Sequence, residues 1–187
     1  MRKNRRLDGT AEEYLRCFDK IMDNMIKGMT KARLTDSLSH NFIVQMIPHH
    51  MAAIEMSRNI LQYTDCAPLR EIASGIIDEQ TKSIENMREA LCECSKLKNS
   101  QWDICMYGEC FGQITRTMFA EMRNACAVNN VSADFMYEMI PHHEGAIRMS
   151  ENLLRFRICG ELVPILDAII VSQKKGIAEM ESLLKCV

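Results

Sequence analysis

The feature that most restricts the fold of this 187-residue chain is an internal repeat with a period of 93 residues. Residues 14–94 align with residues 107–187 without a gap, and about 30 of the 81 aligned positions are identical. The longest shared block is Met46–His50, which recurs as Met139–His143 and consists of Met-Ile-Pro-His-His in both halves. A repeat of this length that occurs twice is unlike the short, numerous units of a solenoid. We therefore expect two equivalent halves that pack against each other.

Each half is predicted to form three helices. Apolar side chains recur at spacings of three and four residues between Phe18 and Met29, which is typical of one buried helical face. Thr10 starts a capping-box pattern and Asp103 stands at the equivalent position, so these two residues are predicted to cap the first and fourth helices. No sustained alternation of apolar and polar residues indicates strands. The first helix is predicted to begin near residue 10. The other five are predicted at about 38–63, 68–94, 104–125, 131–158 and 161–186.

Short links between long amphipathic helices favour antiparallel neighbours. We therefore predict an all-α protein with a single helical domain over residues 1–187, built from two repeats at about 10–97 and 103–187. The second, third, fifth and sixth helices would form a four-helix bundle with an approximate internal twofold axis. The additional Met-rich helix of each repeat would pack across that bundle.

The composition directs attention to sulfur and imidazole ligands. The chain has 15 Met, 9 Cys and 5 His, and four of the five histidines stand in two His-His pairs. Pro48 and Pro141 directly precede these pairs within helical patterns, where a proline costs about 3 kcal/mol. Met46 lies four residues before His50 and shares its helix face, and the second repeat keeps this arrangement. Thioethers combined with imidazoles suit Cu(I) or Ag(I) better than hard cations.

These blocks resemble a known family. The segments Phe42–Met56 and Phe135–Met149 look like the paired signature of the domain-of-unknown-function 305 family, and Gln80–Met87 and Gln173–Met180 look like its second motif. The resemblance covers nearly the whole chain beyond residue 14. It implies a ferritin-like four-helix bundle without the di-iron ligands of ferritin, and the absence of any Glu-x-x-His motif agrees with that.

The resemblance also implies a ligand set, because some members of that family bind copper through Met and His side chains. We expect a bound copper ion, with Cu(I) favoured, or silver. Since ligands must be deprotonated, the affinity is expected to fall as the pH drops through the histidine range. The implied metal ligands are His49, His50, His142, His143, Met25, Met29, Met46, Met56, Met118, Met122, Met139 and Met149.

Net charge and apolar runs limit the other partners. The formal net charge is −2, which gives no electrostatic reason to expect nucleic acid. No apolar run approaches the roughly 20 residues of a membrane span. The basic start of the chain has no apolar stretch behind it, so the sequence favours a cytoplasmic location, with an exported protein that has lost its leader as the alternative. The odd number of cysteines leaves a homodimer open.

Two alternatives to metal binding remain at this stage. The first is a structural or interaction module in which the histidines only fix the register of the helices. The second is a thiol-redox protein built on Cys17, Cys66 and their repeat equivalents Cys110 and Cys159. The group of cysteines from Cys92 to Cys110 matches no zinc spacing well, and buried thiols are the simpler interpretation. No motif for an enzyme is present, so no catalysis is expected.

Overall fold

The computed structural model describes residues 7–186 and consists of helices joined by short loops. Within these residues it contains no strand, which confirms the all-α prediction. A short 3₁₀ turn at Gly160–Leu162 precedes the last helix. The helices are α1 (Gly9–Thr30), α2 (Leu38–Ile60), α3 (Ala67–Cys94), α4 (Gln101–Arg123), α5 (Val131–Leu153) and α6 (Val163–Leu184).

The caps of α1 and α4 differ from the predicted ones. Asp8 caps α1, because its Oδ1 accepts the Ala11 N–H at 2.8 Å, so Thr10 lies inside the helix. Ser100 caps α4 by accepting the Asp103 N–H at 3.1 Å, while its hydroxyl donates to the Asp103 carboxylate at 2.8 Å. Asp103 is therefore the third residue of α4 and the acidic member of a capping box. In both cases a polar side chain just upstream satisfies the free N–H groups of the first turn.

Four helices close into a bundle. α2 packs on α3, α3 on α6, α6 on α5, and α5 back on α2. α1 lies against α2 and α5, and α4 lies against α5. Pro68 and Pro164 occupy the first turns of α3 and α6, where a missing N–H costs nothing. None of the described helices is apolar over a stretch long enough to cross a membrane.

The same tertiary contacts occur in both halves. Asn59 Nδ2 donates to the carbonyl of Tyr14 at 3.1 Å, and its repeat equivalent Asn152 donates to the carbonyl of Tyr107 at 3.3 Å. Tyr14 meets the ring of Tyr63 edge-on with centroids 6.0 Å apart, and the equivalent aromatic pair in the second half has the same separation. In each half, these contacts join the Met-rich helix (α1 or α4) to the helix that carries the His-His pair (α2 or α5) and to the loop that follows it.

The approach of α1 to α2 is closest where Gly28 faces Pro48. A Cβ on Gly28 would lie 2.7 Å from Pro48 Cβ, which belongs to a rigid ring. We expect Gly28→Ala to lower the free energy of unfolding by about 1–3 kcal/mol, because the two helices must move apart. Gly75→Ala is the control, since nothing lies within 4 Å of its added Cβ, and it should stabilise α3 by about 0.5–1 kcal/mol. Urea titrations of both variants would measure this, and equal effects would contradict the close contact.

Candidate metal centre

All twelve predicted ligand residues lie in the interior. The four paired histidines and the eight methionines of the predicted ligand set are each at most 2% exposed. Methionine in such positions is ordinary core material, but fully buried imidazole rings require partners for their nitrogens. The histidines therefore decide what this centre does.

His49 and His142 meet at the crossing of α2 and α5. Their rings stack with centroids 3.7 Å apart and planes inclined by 26°. His142 Nε2 also lies 3.2 Å from the carbonyl oxygen of His49, which accepts its hydrogen bond. These two residues are repeat equivalents in the sequence, so the same position of each half takes part in this contact.

His50 and His143 are also repeat equivalents, but their surroundings are unequal. His50 Nε2 is 3.0 Å from the hydroxyl of Ser83 on α3. The residue equivalent to Ser83 is Gly176 on α6, and His143 fills the space a side chain would need there, with its Nε2 3.0 Å from the position of an added Cβ. In the first half the outer histidine is therefore hydrogen-bonded to a side chain of α3. In the second half the equivalent position on α6 is a glycine, which has no side chain to bond His143.

Most of the ring nitrogens lack a hydrogen-bond partner within the described part of the chain. Both nitrogens of His49 and the Nδ1 atoms of the other three paired histidines are buried and unpartnered, which makes five of the eight. His49 approaches the backbone of His142 but does not reach hydrogen-bond geometry. The side-chain oxygens of the equivalent residues Gln80 and Gln173 are also unpartnered, so neither glutamine satisfies a histidine through that atom.

Burial keeps all four histidines neutral at physiological pH. Loss of solvation lowers the pKa of His50 to about 3, and the neighbouring His142 lowers it further. Loss of solvation also lowers the pKa of His142 to about 4, although the hydrogen bond to the His49 carbonyl acts to raise it. The pKa values of His49 and His143 also fall well below the usual range. The main cause is again the loss of solvation, and electrostatic repulsion from the other histidines adds to it. Neutral imidazole is the form that binds metals.

The imidazoles do not form a finished metal site by themselves. Among the described residues, the four histidines do not bring three ring nitrogens within 4.8 Å of one another. The lone pair of an imidazole lies in the plane of its ring, so two stacked rings cannot both point at one ion between them. Binding of one metal ion by both His49 and His142 would thus need a rotation of at least one ring.

Two methionines of the predicted set, Met118 on α4 and Met25 on α1, lie against the histidine helices. A Cβ on Gly145 of α5 would lie 2.1 Å from Met118 Sδ, so this sulfur occupies the space above Gly145. The equivalent position in the first half is Ala52, and there Met25, Pro48 and Ala52 line a small surface cavity of about 90 Å³. The Met-rich helices α1 and α4 therefore present sulfur to α2 and α5 in different ways.

Two grooves between α3 and α6 lead toward the outer histidines. One groove of about 560 Å³ reaches His50 and Ser83 and is also lined by Asp78 and Glu79. Its counterpart of about 470 Å³ is lined by residues at equivalent repeat positions and reaches Gly176, behind which His143 lies.

The cysteines only partly follow the expectation of buried thiols. Cys92 and Cys105 are exposed, and Cys94 alone is fully buried, so the interpretation of buried thiols is wrong for Cys92 and Cys105. All nine cysteines are free. Burial, together with a hydrogen bond to Cys159, raises the pKa of the Cys94 thiol to about 12.

The family assignment rests on the same segments. A family model described as a domain of unknown function, DUF305, matches residues 7–91 and again residues 93–184. The chain belongs to the DUF305 family. The resemblance expected from the paired Met-Ile-Pro-His-His blocks is thereby confirmed.

Solved structures share the fold of this DUF305 chain. CopM in its silver-bound form has a TM-score of 0.59 and 26% sequence identity, covering 81% of this chain and 97% of the CopM chain. CopM in its Cu(II)-bound form has a TM-score of 0.59 and 26% identity, covering 79% and 95%. A DUF305 fragment from Deinococcus radiodurans has a TM-score of 0.58 and 23% identity, covering 80% and 96%, and shows the fold alone. No curated protein sequence matches the chain.

Ser83 is a residue of the DUF305 chain that the sequence motifs did not single out. The sequence does mark this position, because the repeat is not kept there: the residue is serine in the first half and glycine, Gly176, in the second. We expect Ser83→Ala to lower the free energy of unfolding by about 1–3 kcal/mol, because it leaves a buried ring nitrogen of His50 unpaired. Ser172→Ala, which removes only a bond to the carbonyl of Ile169 within α6, should be nearly neutral. Chemical denaturation measures both, and a neutral Ser83→Ala would refute the bond.

Proposed function

We propose that this protein binds copper, as Cu(I) in preference, through the buried Met and His side chains of its two repeats, without catalysing a reaction. The observation that carries the proposal is the set of five buried imidazole nitrogens without a partner. Each such atom costs free energy in the metal-free protein. A metal ion is a partner for those of the five nitrogens that carry a lone pair, and binding it would recover their share of that cost.

The chemistry of the surrounding side chains favours a soft ion. Eight methionines of the predicted ligand set are buried, four in each repeat. Thioethers and imidazoles together prefer Cu(I), whereas Mg²⁺ and Ca²⁺ need oxygen ligands. CopM, which has the same fold and 26% sequence identity, has been solved in a silver-bound form obtained by soaking and in a Cu(II)-bound form. Silver(I) and Cu(I) are alike in charge and softness, which supports the preference for the lower oxidation state here.

The structural alternative explains the same residues less well. Histidines that only fix the register of a bundle should be fully hydrogen-bonded, because a half-satisfied buried network is less stable than an apolar core. His50, with its bond to Ser83, fits that role in part. His49 does not, since neither of its nitrogens has a partner.

Replacing one repeated pair of methionines tests the proposal without endangering the fold. Met46→Leu with Met139→Leu is nearly isosteric, so stability should change by less than about 1.5 kcal/mol per site. We expect the affinity for Cu(I) to fall by at least about tenfold, the lower end of what disturbing a metal site costs. Anaerobic titration of the metal-free protein against a Cu(I) chelator of known affinity measures it.

The matched control uses the same substitution at two methionines that are not duplicated between the halves. Met51→Leu with Met106→Leu removes two thioethers from exposed positions whose repeat equivalents are not methionine. This variant should bind Cu(I) as tightly as the unmodified chain. Equal affinities for both double variants would show that the repeated thioethers are core material only.

A further inference from the structure

A second cluster of soft ligands lies outside the histidine centre. Cys94, Cys159 and Glu161 each offer one ligand atom, and these three atoms lie within 4.8 Å of one another. Cys94 is the buried last residue of α3, Cys159 directly precedes the 3₁₀ turn, and the exposed Glu161 belongs to that turn. No other group of three His, Cys, Asp or Glu residues within residues 7–186 comes this close together.

The start of α2 holds both cysteines in place. The hydroxyl of Ser37 donates to the carbonyl of Cys94 at 2.8 Å. The backbone N–H of Cys159 donates to the hydroxyl of Ser39 at 3.0 Å. Two cysteines separated by 65 residues in sequence are thus fixed through neighbouring residues of one helix, and their approach is a built feature of the fold.

The ligand set favours Cu(I) over zinc. Thiolates bind both ions, but structural zinc almost always takes four protein ligands, and three are present here. His40, which pairs with Ser95 beside Cys94, cannot serve as a fourth ligand without breaking its own bonds. Its Nδ1 is 2.9 Å from the Ser95 hydroxyl and its Nε2 is 3.2 Å from the carbonyl oxygen of Arg33.

We propose that Cys94 and Cys159 bind one Cu(I) ion between their sulfur atoms, with the Glu161 carboxylate on the solvent side. An ion about 2.3 Å from each sulfur, a usual metal–thiolate length, spans up to about 4.6 Å between them, which the spacing of the ligand atoms accommodates. Each thiol releases its proton to solvent as the ion binds, and no electron is transferred. This site is separate from the histidine centre and does not depend on it.

The repeat supplies a natural control for this site. Cys66 is the equivalent of Cys159, but the positions equivalent to Cys94 and Glu161 are Val187 and Pro68. The first half therefore has one of these cysteines without the second thiol or the carboxylate. A double variant of Cys66 and the exposed Cys92 removes as many thiols as the test variant without touching the proposed pair.

The experiment counts Cu(I) ions in the reduced full chain under anaerobic conditions, using a chelator competition and the ultraviolet absorption of Cu(I)–thiolate bonds. Cys94→Ser with Cys159→Ser should bind one equivalent less than the unmodified chain and lose thiolate absorption. Cys66→Ser with Cys92→Ser should keep both. Equal losses in the two variants, or no loss in either, would overturn the proposal.

A single cysteine variant, a competition with zinc and the methionine double variant complete the experiment. Should the double variant melt at a much lower temperature, Cys159→Ser alone, at a half-buried position, serves as the test with the same expected loss. If one equivalent of Zn(II) blocks Cu(I) uptake by the pair in an equimolar competition, the site is a zinc site and the proposal is wrong. Met46→Leu with Met139→Leu should leave the thiolate absorption unchanged, so failure here and failure of the histidine centre are distinguishable.

Discussion

His49→Leu is expected to make the metal-free protein more stable and to remove most of the stabilisation that copper provides. Both ring nitrogens of His49 are buried without a partner, and the side chain has no exposed surface. A buried polar group in this state costs about 1–3 kcal/mol, so an apolar side chain of similar size should raise the free energy of unfolding by that amount. A residue that lowers the stability of its own fold at such a position points to a function other than folding.

His50→Leu is the matched control for that variant. It is equally buried, but its Nε2 is bonded to Ser83, so the substitution leaves the serine hydroxyl without its partner. We expect no gain in stability, or a loss of about 1 kcal/mol. Chemical denaturation of both variants with and without Cu(I) measures the difference. If His49→Leu destabilises the metal-free protein by more than His50→Leu, the cost assigned to the His49 ring is wrong.

The second large effect is a steep loss of stability in mild acid. The buried histidines stay neutral in the folded chain, with pKa values of about 3 for His50 and about 4 for His142, whereas in the unfolded chain they titrate near 6.5. Below pH about 6.5 the unfolded state binds more protons, so stability falls as the pH falls, and above it these groups contribute no pH dependence. The loss continues until the pH reaches the folded-state pKa values.

The expected slope is large because four residues act together. Each contributes up to about 1.4 kcal/mol per pH unit, so the free energy of unfolding should fall by up to about 5 kcal/mol per unit below pH 6. Urea titrations at pH 7.5, 6.5, 5.5 and 5.0 would measure it. A stability that stays constant from pH 7 to 5 would contradict the neutral, buried state of the four rings.

The same burial changes the expected pH dependence of metal binding. From sequence alone the affinity should fall as the pH drops through the ordinary histidine range. In the folded chain the imidazoles remain neutral well below that range, so protons compete with copper only at lower pH. The affinity should then stay nearly constant down to the pH at which the metal-free fold itself fails.

The helices and their packing could be predicted because periodicity and repetition carry that information. The spacing of Phe18 through Met29 and the two Met-Ile-Pro-His-His blocks indicated the Met-rich and His-His helices that the structure contains. The caps were misplaced by a few residues, because Asp8 and Ser100 compete with equally suitable polar residues nearby. Local sequence does not decide which of two neighbouring side chains reaches the free N–H groups.

The details of the centre could not be predicted, because they depend on contacts between distant segments. Stacking of His49 on His142 requires the crossing angle of α2 and α5. The bond from His50 to Ser83, and its absence beside Gly176, breaks an otherwise regular repeat. The approach of Cys94 to Cys159 joins the end of one helix to a turn 65 residues later, and no spacing pattern encodes that.

The central claim is that copper binds at the paired histidines among the repeated methionines. Its most direct test is an anomalous difference map, collected at the copper absorption edge, from crystals grown anaerobically with Cu(I). We expect a copper peak within bonding distance of a nitrogen of at least one paired histidine and of a methionine sulfur. Copper found only at cysteines, or no peak near His49, His50, His142 or His143, would contradict it.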